Sequence, residues 1–86
     1  MSNNAYDVQE WRTEEYETST RRYRVEVQQN LFSEWVSVCH WSGKTHRKGR
    51  SMVTTHESKE KALAHLEHIR KRRTQRGYSV IENKSA

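Results

Sequence analysis

At 86 residues the chain has the length of one small domain, which buries only about 60% of its unfolded surface and so has a thin core. Hydrophobic and charged residues make up 31% each, no run approaches the ~20 apolar residues of a spanning helix, and the lone Cys39 excludes an internal disulfide. Charge is split unevenly: residues 1–39 hold four arginines against seven acids, a net −3, whereas residues 40–86 hold twelve Lys or Arg against four acids, a net +8.

The start, MSNNAYDVQE, has neither the basic nor the apolar stretch of a secretory signal, so a reduced, cytoplasmic protein is expected. A mean hydropathy of −1.23 raises the alternative of disorder. Three Trp, four Tyr and the alternating valine runs argue against it. Residues 1–7 read as a loose N-terminus, 8–81 as one domain and 82–86 as a loose polar tail.

A first strand is expected over Glu10–Tyr16. Within it, Glu14 and Glu15 read as a solvated acidic pair. Arg21–Gln29 is a clearer strand, with Tyr23, Val25 and Val27 alternating with polar neighbours. Asn30-Leu31-Phe32-Ser33 breaks the pattern as a turn, and Glu34–Trp41 resumes it, which makes an antiparallel hairpin. Val36 and Val38 share one face of that strand; Trp35, Ser37, Cys39 and Trp41 share the other. Ser42–Gly49 is a basic loop, and Ser51–His56 a third clear strand. Ser58 caps a helix whose Ala62, Leu63, Leu66 and Ile69 form one apolar stripe. The helix closes on Arg70-Lys71-Arg72-Arg73, with Arg76 beyond and Gly77 as its C-terminal stop. Tyr78–Ile81 returns as a last strand.

The order β-β-β-β-α-β predicts an α+β fold: one antiparallel sheet of four to five strands with a single α-helix packed on one face. Leu66 is expected to pack on Val25, Val27, Val36 or Val38. With the helix over the Val36/Val38 face, Trp41 lies on the less covered side; a bulge near residue 40 reverses that.

No catalytic constellation is present, and an enzyme is not expected. The chain has neither GxGxxG nor GxxxxGK[ST]. His65 and His68 share a helix face, and His40 and His56 fall on neighbouring strands. Neither pair has a third ligand at zinc-site spacing, so no metal and no cofactor are expected. The cations are more informative. Lys44, Arg47, Lys48 and Arg50 line one loop with Trp41 at its entry, and Arg70, Arg73 and Arg76 crowd the helix end. Cations for phosphates beside a ring for stacking point to a polyanion, with DNA preferred over RNA. A small-molecule substrate and a membrane are not expected. The other reading is an adaptor that docks a protein on its open sheet face around Trp35 and Trp41, or on its acidic front half.

From Tyr23 to Tyr78 the sequence resembles a WGR domain, a module of DNA-damage-dependent poly(ADP-ribose) polymerases and of small bacterial proteins. Arg22-Tyr23-Arg24-Val25-Glu26-Val27 resembles the family's Tyr-led strand. Leu31-Phe32-Ser33-Glu34-Trp35-Val36 resembles its turn into a Trp-bearing strand. Trp41 matches the Trp of the Trp-Gly-Arg signature, and Arg47-Lys48-Gly49-Arg50 the basic end of the signature loop. Ser58 to Arg73 resembles the helix, and Gly77-Tyr78 the Gly-Tyr that closes it. Ser42 and Gly43 stand where the family has Gly and Arg, and Lys44 offers a cation one residue late. The resemblance implies the same sheet-and-helix fold and a role for Trp41 at a DNA strand end. The polymerases' catalytic domain has no counterpart, so the resemblance implies no ADP-ribosylation.

Overall fold

The computed structural model describes residues 6–45 and 49–85. A short 3-10 turn, Val8–Glu10, leads into β1 (Arg12–Glu17), β2 (Arg21–Gln29), β3 (Trp35–Gly43) and β4 (Arg50–His56). Helix α1 (Lys59–Gln75) and β5 (Ser79–Ser85) follow. The described strands form one antiparallel sheet in the order β4-β3-β2-β1-β5. Because β4 and β5 are its two edges, α1 must cross the sheet to connect them, and in crossing it covers one face. The expected fold class and element order are those observed.

The face that α1 covers corrects one expectation. The five-residue connection from Gln29 to Trp35 sets Val25 opposite Cys39 and Val27 opposite Ser37. Directly opposed residues share a face, so the β2 valines lie with Trp35, Ser37, Cys39 and Trp41, while Val36 and Val38 point to the far side. The valines of the two strands therefore cannot both meet the helix. Helix α1 packs on the face bearing the rings, and Val25, Val27, Cys39 and Tyr16 form a buried cluster with Ala62, Leu66 and Ile69. Trp35, Trp41, Tyr23, Leu63 and Tyr78 pack around it, half-buried. Trp41 is accordingly on the covered side, without any bulge.

Glu14 is the second correction. It stands opposite Val25, on the helix side, and is 1% exposed. Its carboxylate accepts hydrogen bonds from the Tyr16 hydroxyl and from Nε and Nη2 of Arg70 on α1. Adjacent residues of a strand face opposite ways, so only Glu15 keeps partial exposure. A buried carboxylate needs such partners, because taking a charge out of water unpaired costs several kcal/mol.

Both ends of α1 are set by local chemistry. Ser58 is extended, and its hydroxyl accepts from the Lys61 amide at 3.2 Å. At the other end Gly77 adopts φ +85°, a left-handed conformation that costs a side-chain-bearing residue about 1–2 kcal/mol. The Tyr78 amide then donates to Arg73 O at 3.0 Å and the Gly77 amide to Thr74 O at 3.1 Å, the paired bonds of a Schellman stop.

Three strand boundaries differ from expectation by two residues or more. β1 begins at Arg12, since Glu10 and Trp11 donate back to Asp7 and Val8 in the 3-10 turn. β3 runs on to Gly43, because Ser42 and Gly43 find partners in Arg22 and Arg21. β5 continues to Ser85, into the tail read as loose from residue 82, because β1 offers it a free edge as far as Arg12.

Candidate nucleic-acid interface

The start of β2, the end of β3, the start of β4 and the C-terminus of α1 converge at one end of the sheet. The cross-strand register places Tyr23 opposite Trp41 and Trp41 opposite Arg50. The Trp41 ring lies nearly parallel to that of Tyr23, at a centroid separation of 6.3 Å and an angle of 16°. Tyr78, brought in by the Schellman stop, meets Tyr23 edge-on at 6.4 Å. The same stop fixes Arg73 one turn back. Its guanidinium carbon lies 4.5 Å from the Tyr23 ring centre and 5.1 Å from that of Tyr78. Arg73 Nε is buried with no hydrogen-bond partner among the described residues. The cation is thus held by aromatic faces rather than by a carboxylate.

These side chains border a cleft of about 730 Å³ that opens to solvent and is also lined by Arg50 and Met52. A second cleft of about 330 Å³ lies against Arg22, Arg24 and His40, and Trp41 and Arg50 line both. Burial raises the Tyr23 phenol far above its usual range, reinforced by a hydrogen bond with Cys39, so the ring stays neutral. Gly49 serves the approach of the loop: a Cβ there would stand 3.2 Å from Trp41 O and 3.3 Å from Ser42 Cβ. A side chain there would be tight against the Trp41 backbone and would require its neighbours to give by a few tenths of an ångström.

The expected site residues do not share one fate. Trp41, Arg50 and Arg73 meet at the large cleft. Arg50 and Arg76 are exposed, near the rings and at the helix end respectively. Lys44 Nζ is 3.1 Å from Glu17 Oε1, and its amide donates to Thr20 O at 2.8 Å. Arg70 is turned away toward Glu14 and, at 2.8 Å, toward Glu67. Arg47 and Lys48 lie outside the described residues. Sequence reasoning missed Tyr23, Tyr78 and Met52. Tyr23 and Tyr78 were visible as the aromatic ends of a strand and of the helix-closing Gly-Tyr, but nothing local says that the two ends meet.

Two of the histidines, His56 and His65, meet elsewhere. Ser37 Oγ lies 2.7 Å from His56 Nε2 and 3.1 Å from His65 Nδ1, beneath α1, with the two imidazoles 4.9 Å apart. Burial lowers both histidines below their usual pKa, and each also feels a neighbouring histidine. Among the described residues no three His, Cys, Asp or Glu side chains are grouped as metal ligands.

The family model of the WGR domain matches residues 6–85, nearly the whole chain, and the protein belongs to that family. WGR domains are nucleic-acid-binding modules and are not catalytic by themselves. No curated protein and no solved structure matches the chain. Among the described residues no helix is long and apolar enough to cross a membrane.

Proposed function

We propose that this chain is a non-enzymatic, cytoplasmic module that binds DNA, at the ends of duplexes, through the aromatic and cationic cleft at the basic end of its sheet. The observation that carries this reading is the Tyr23–Trp41 stack bordered by Arg50 and by Arg73, whose cation has no acidic partner among the described residues. In this reading Trp41 offers its ring to a terminal nucleotide, while Arg50, Arg73, Arg76 and Lys44 meet phosphates. Arg47 and Lys48 extend the same basic loop. Arg70 is omitted, because its guanidinium is committed to Glu14. An open cleft suits a strand end better than a closed pocket would, since the rest of the polymer must leave it.

Binding isotherms on blunt duplex, hairpin-capped duplex and single-stranded RNA test the proposal. Log affinity for duplex should fall with log salt by roughly 0.9 per phosphate contact. Arg50→Gln or Arg47→Gln should flatten that slope by about one unit on every duplex. Trp41→Ala should leave the slope unchanged and cost about 1–3 kcal/mol of stacking, chiefly on open ends. A melting curve on each variant separates lost binding from lost folding. Equal loss on capped and open duplex would remove the case for ends, and tighter binding to RNA would remove the preference for DNA.

A further inference from the structure

The end of the sheet opposite the cleft has a different chemistry. Seven residues of strand separate Tyr23 from Asn30 and Glu34 from Trp41, so the Asn30–Glu34 turn lies about 23 Å from those rings, at about 3.3 Å per residue. At that turn Leu31 is 92% and Phe32 78% exposed, and Tyr6 and Val8 beside it are each about half exposed. These side chains are held out by a rigid backbone. Asn30 Oδ1 accepts from the amides of Phe32 and Glu34 at 2.9 and 3.0 Å. The Asn30 amide donates to Glu34 O, and Gln29 Nε2 to Ser33 O. The Tyr6 hydroxyl donates to Asn30 O at 2.7 Å, which joins Tyr6 to the same surface. Ser33 takes φ +62°, a left-handed conformation uncommon without glycine. Folding gains nothing from presenting a Leu and a Phe on a strained, pinned turn; such features mark functional surfaces.

We propose that this tip is a self-association surface, occupied by the same tip of a second copy of the chain across a two-fold axis. Two observations select this occupant. The first is charge. The cleft end exposes Arg21, Lys71, Arg72 and Arg76, so two such ends repel, and a two-fold contact must be made elsewhere. Around the tip both signs occur, several of them paired within the chain: Arg12 and Lys59 with Glu10 and Lys61 with Glu57, beside Asp7 and Glu34. A mixed surface can complement itself, as an isologous contact requires. The second is area. Scaled by their exposure, the four apolar side chains offer on the order of 500 Å² per copy, since one fully exposed aromatic presents about 150–250 Å². Two copies would bury roughly 1,000 Å², the threshold of a specific but weak interface. The dimer would point its two basic ends apart. If the proposed DNA reading holds, it would bridge two duplexes; the association itself does not depend on that reading.

Sedimentation equilibrium of the wild type and of the Leu31→Ser/Phe32→Ser double variant tests the proposal. The wild-type mass should rise from 10.3 kDa toward twice that value over roughly 10 µM to 1 mM, the range of an interface this small. The double variant should stay monomeric with an unchanged melting curve, because both side chains are exposed. It should keep its DNA affinity per chain while losing the ability to bring two labelled duplexes together. As an independent reading, Phe32→Cys should cross-link two copies on mild oxidation, and Val53→Cys, 62% exposed away from the tip, should not. A wild type that stays monomeric throughout would overturn the proposal and leave the tip to a different protein or to none. A double variant that associates as the wild type does would place the contact elsewhere and overturn it equally. Self-association without bridging would leave the interface standing and count against the DNA reading alone.

Discussion

Arg70→Ala should unfold this domain far more readily than the loss of a surface cation would. Arg70 is one of seven Lys or Arg residues within the helix and its cap, and most of its neighbours are exposed. Its own guanidinium reaches Glu14 through two nitrogens and Glu67 through a third. Burial and its hydrogen bond to Glu14 raise the Tyr16 phenol well above its usual range, so it donates its proton and cannot supply the missing charge. Removing Arg70 therefore strands a carboxylate that is 1% exposed, with one neutral donor. Breaking a buried pair costs about 3–5 kcal/mol; the 38% exposure of the Arg70 side chain admits water and reduces this to about 2–4 kcal/mol. The whole domain is stable by roughly 4–13 kcal/mol at the usual value per residue. A loss of about 3 kcal/mol would lower the melting temperature by roughly 12–24 °C in a domain of this size. Thermal unfolding followed by far-ultraviolet circular dichroism measures it. The companion variant Glu14→Gln removes the stranded charge, so Glu14→Gln/Arg70→Ala should recover most of the loss. The recovered protein also isolates binding: the two substitutions cancel in net charge, so its affinity for duplex DNA should match the wild type. An Arg70→Ala protein that melts within a degree or two of the wild type would refute the buried-pair argument. A recovered double variant that binds DNA many-fold more weakly, with a flatter salt slope, would return Arg70 to the interface.

Leu66→Ala should cost about 2–5 kcal/mol, since Leu66 is 3% exposed at the centre of the helix–sheet contact; urea unfolding measures it, and an unchanged midpoint would contradict that packing. Gly77→Ala should cost about 1–2 kcal/mol from φ strain alone, because a Cβ there meets no atom within 4 Å; the Arg73–Tyr78 geometry should loosen with it, visible as a shift of the Tyr78 ring signals. The melting temperature should be flat above about pH 6.5 and fall below it. His56 and His65 are lowered in the fold by burial, so their neutral form stabilises the native state above the unfolded value near 6.5, and that contribution is lost as pH drops through the folded values. His65→Gln should flatten the decline, and an identical pH profile in that variant would disprove the assignment.

Local pattern carried much of this molecule. The period-two run Arg21–Gln29, the Asn30–Ser33 turn, the Ser58 cap, the apolar stripe of α1 and the Gly77 stop were legible because each is decided within a few residues of chain. So was the ordered set of features from the Tyr23 strand through Trp41 and the helix to Gly77-Tyr78, on which the chain resembled a WGR domain. What the pattern left open was parity. Valines alternate on both β2 and β3, and the length of the turn between them puts the two sets on opposite faces, so that only one can meet the helix. Once that is set, Trp41 moves from an open face to a stack on Tyr23. Glu14 likewise moves from solvent to the core, and Arg70 from the presumed interface to the carboxylate that needs it. Those three outcomes join residues between 18 and 56 positions apart, and no local rule links them. The sequence by itself determined the elements and the excess of charge at one end. The tertiary structure decided which cations are free to meet a ligand, because burial of a single glutamate claims one of them.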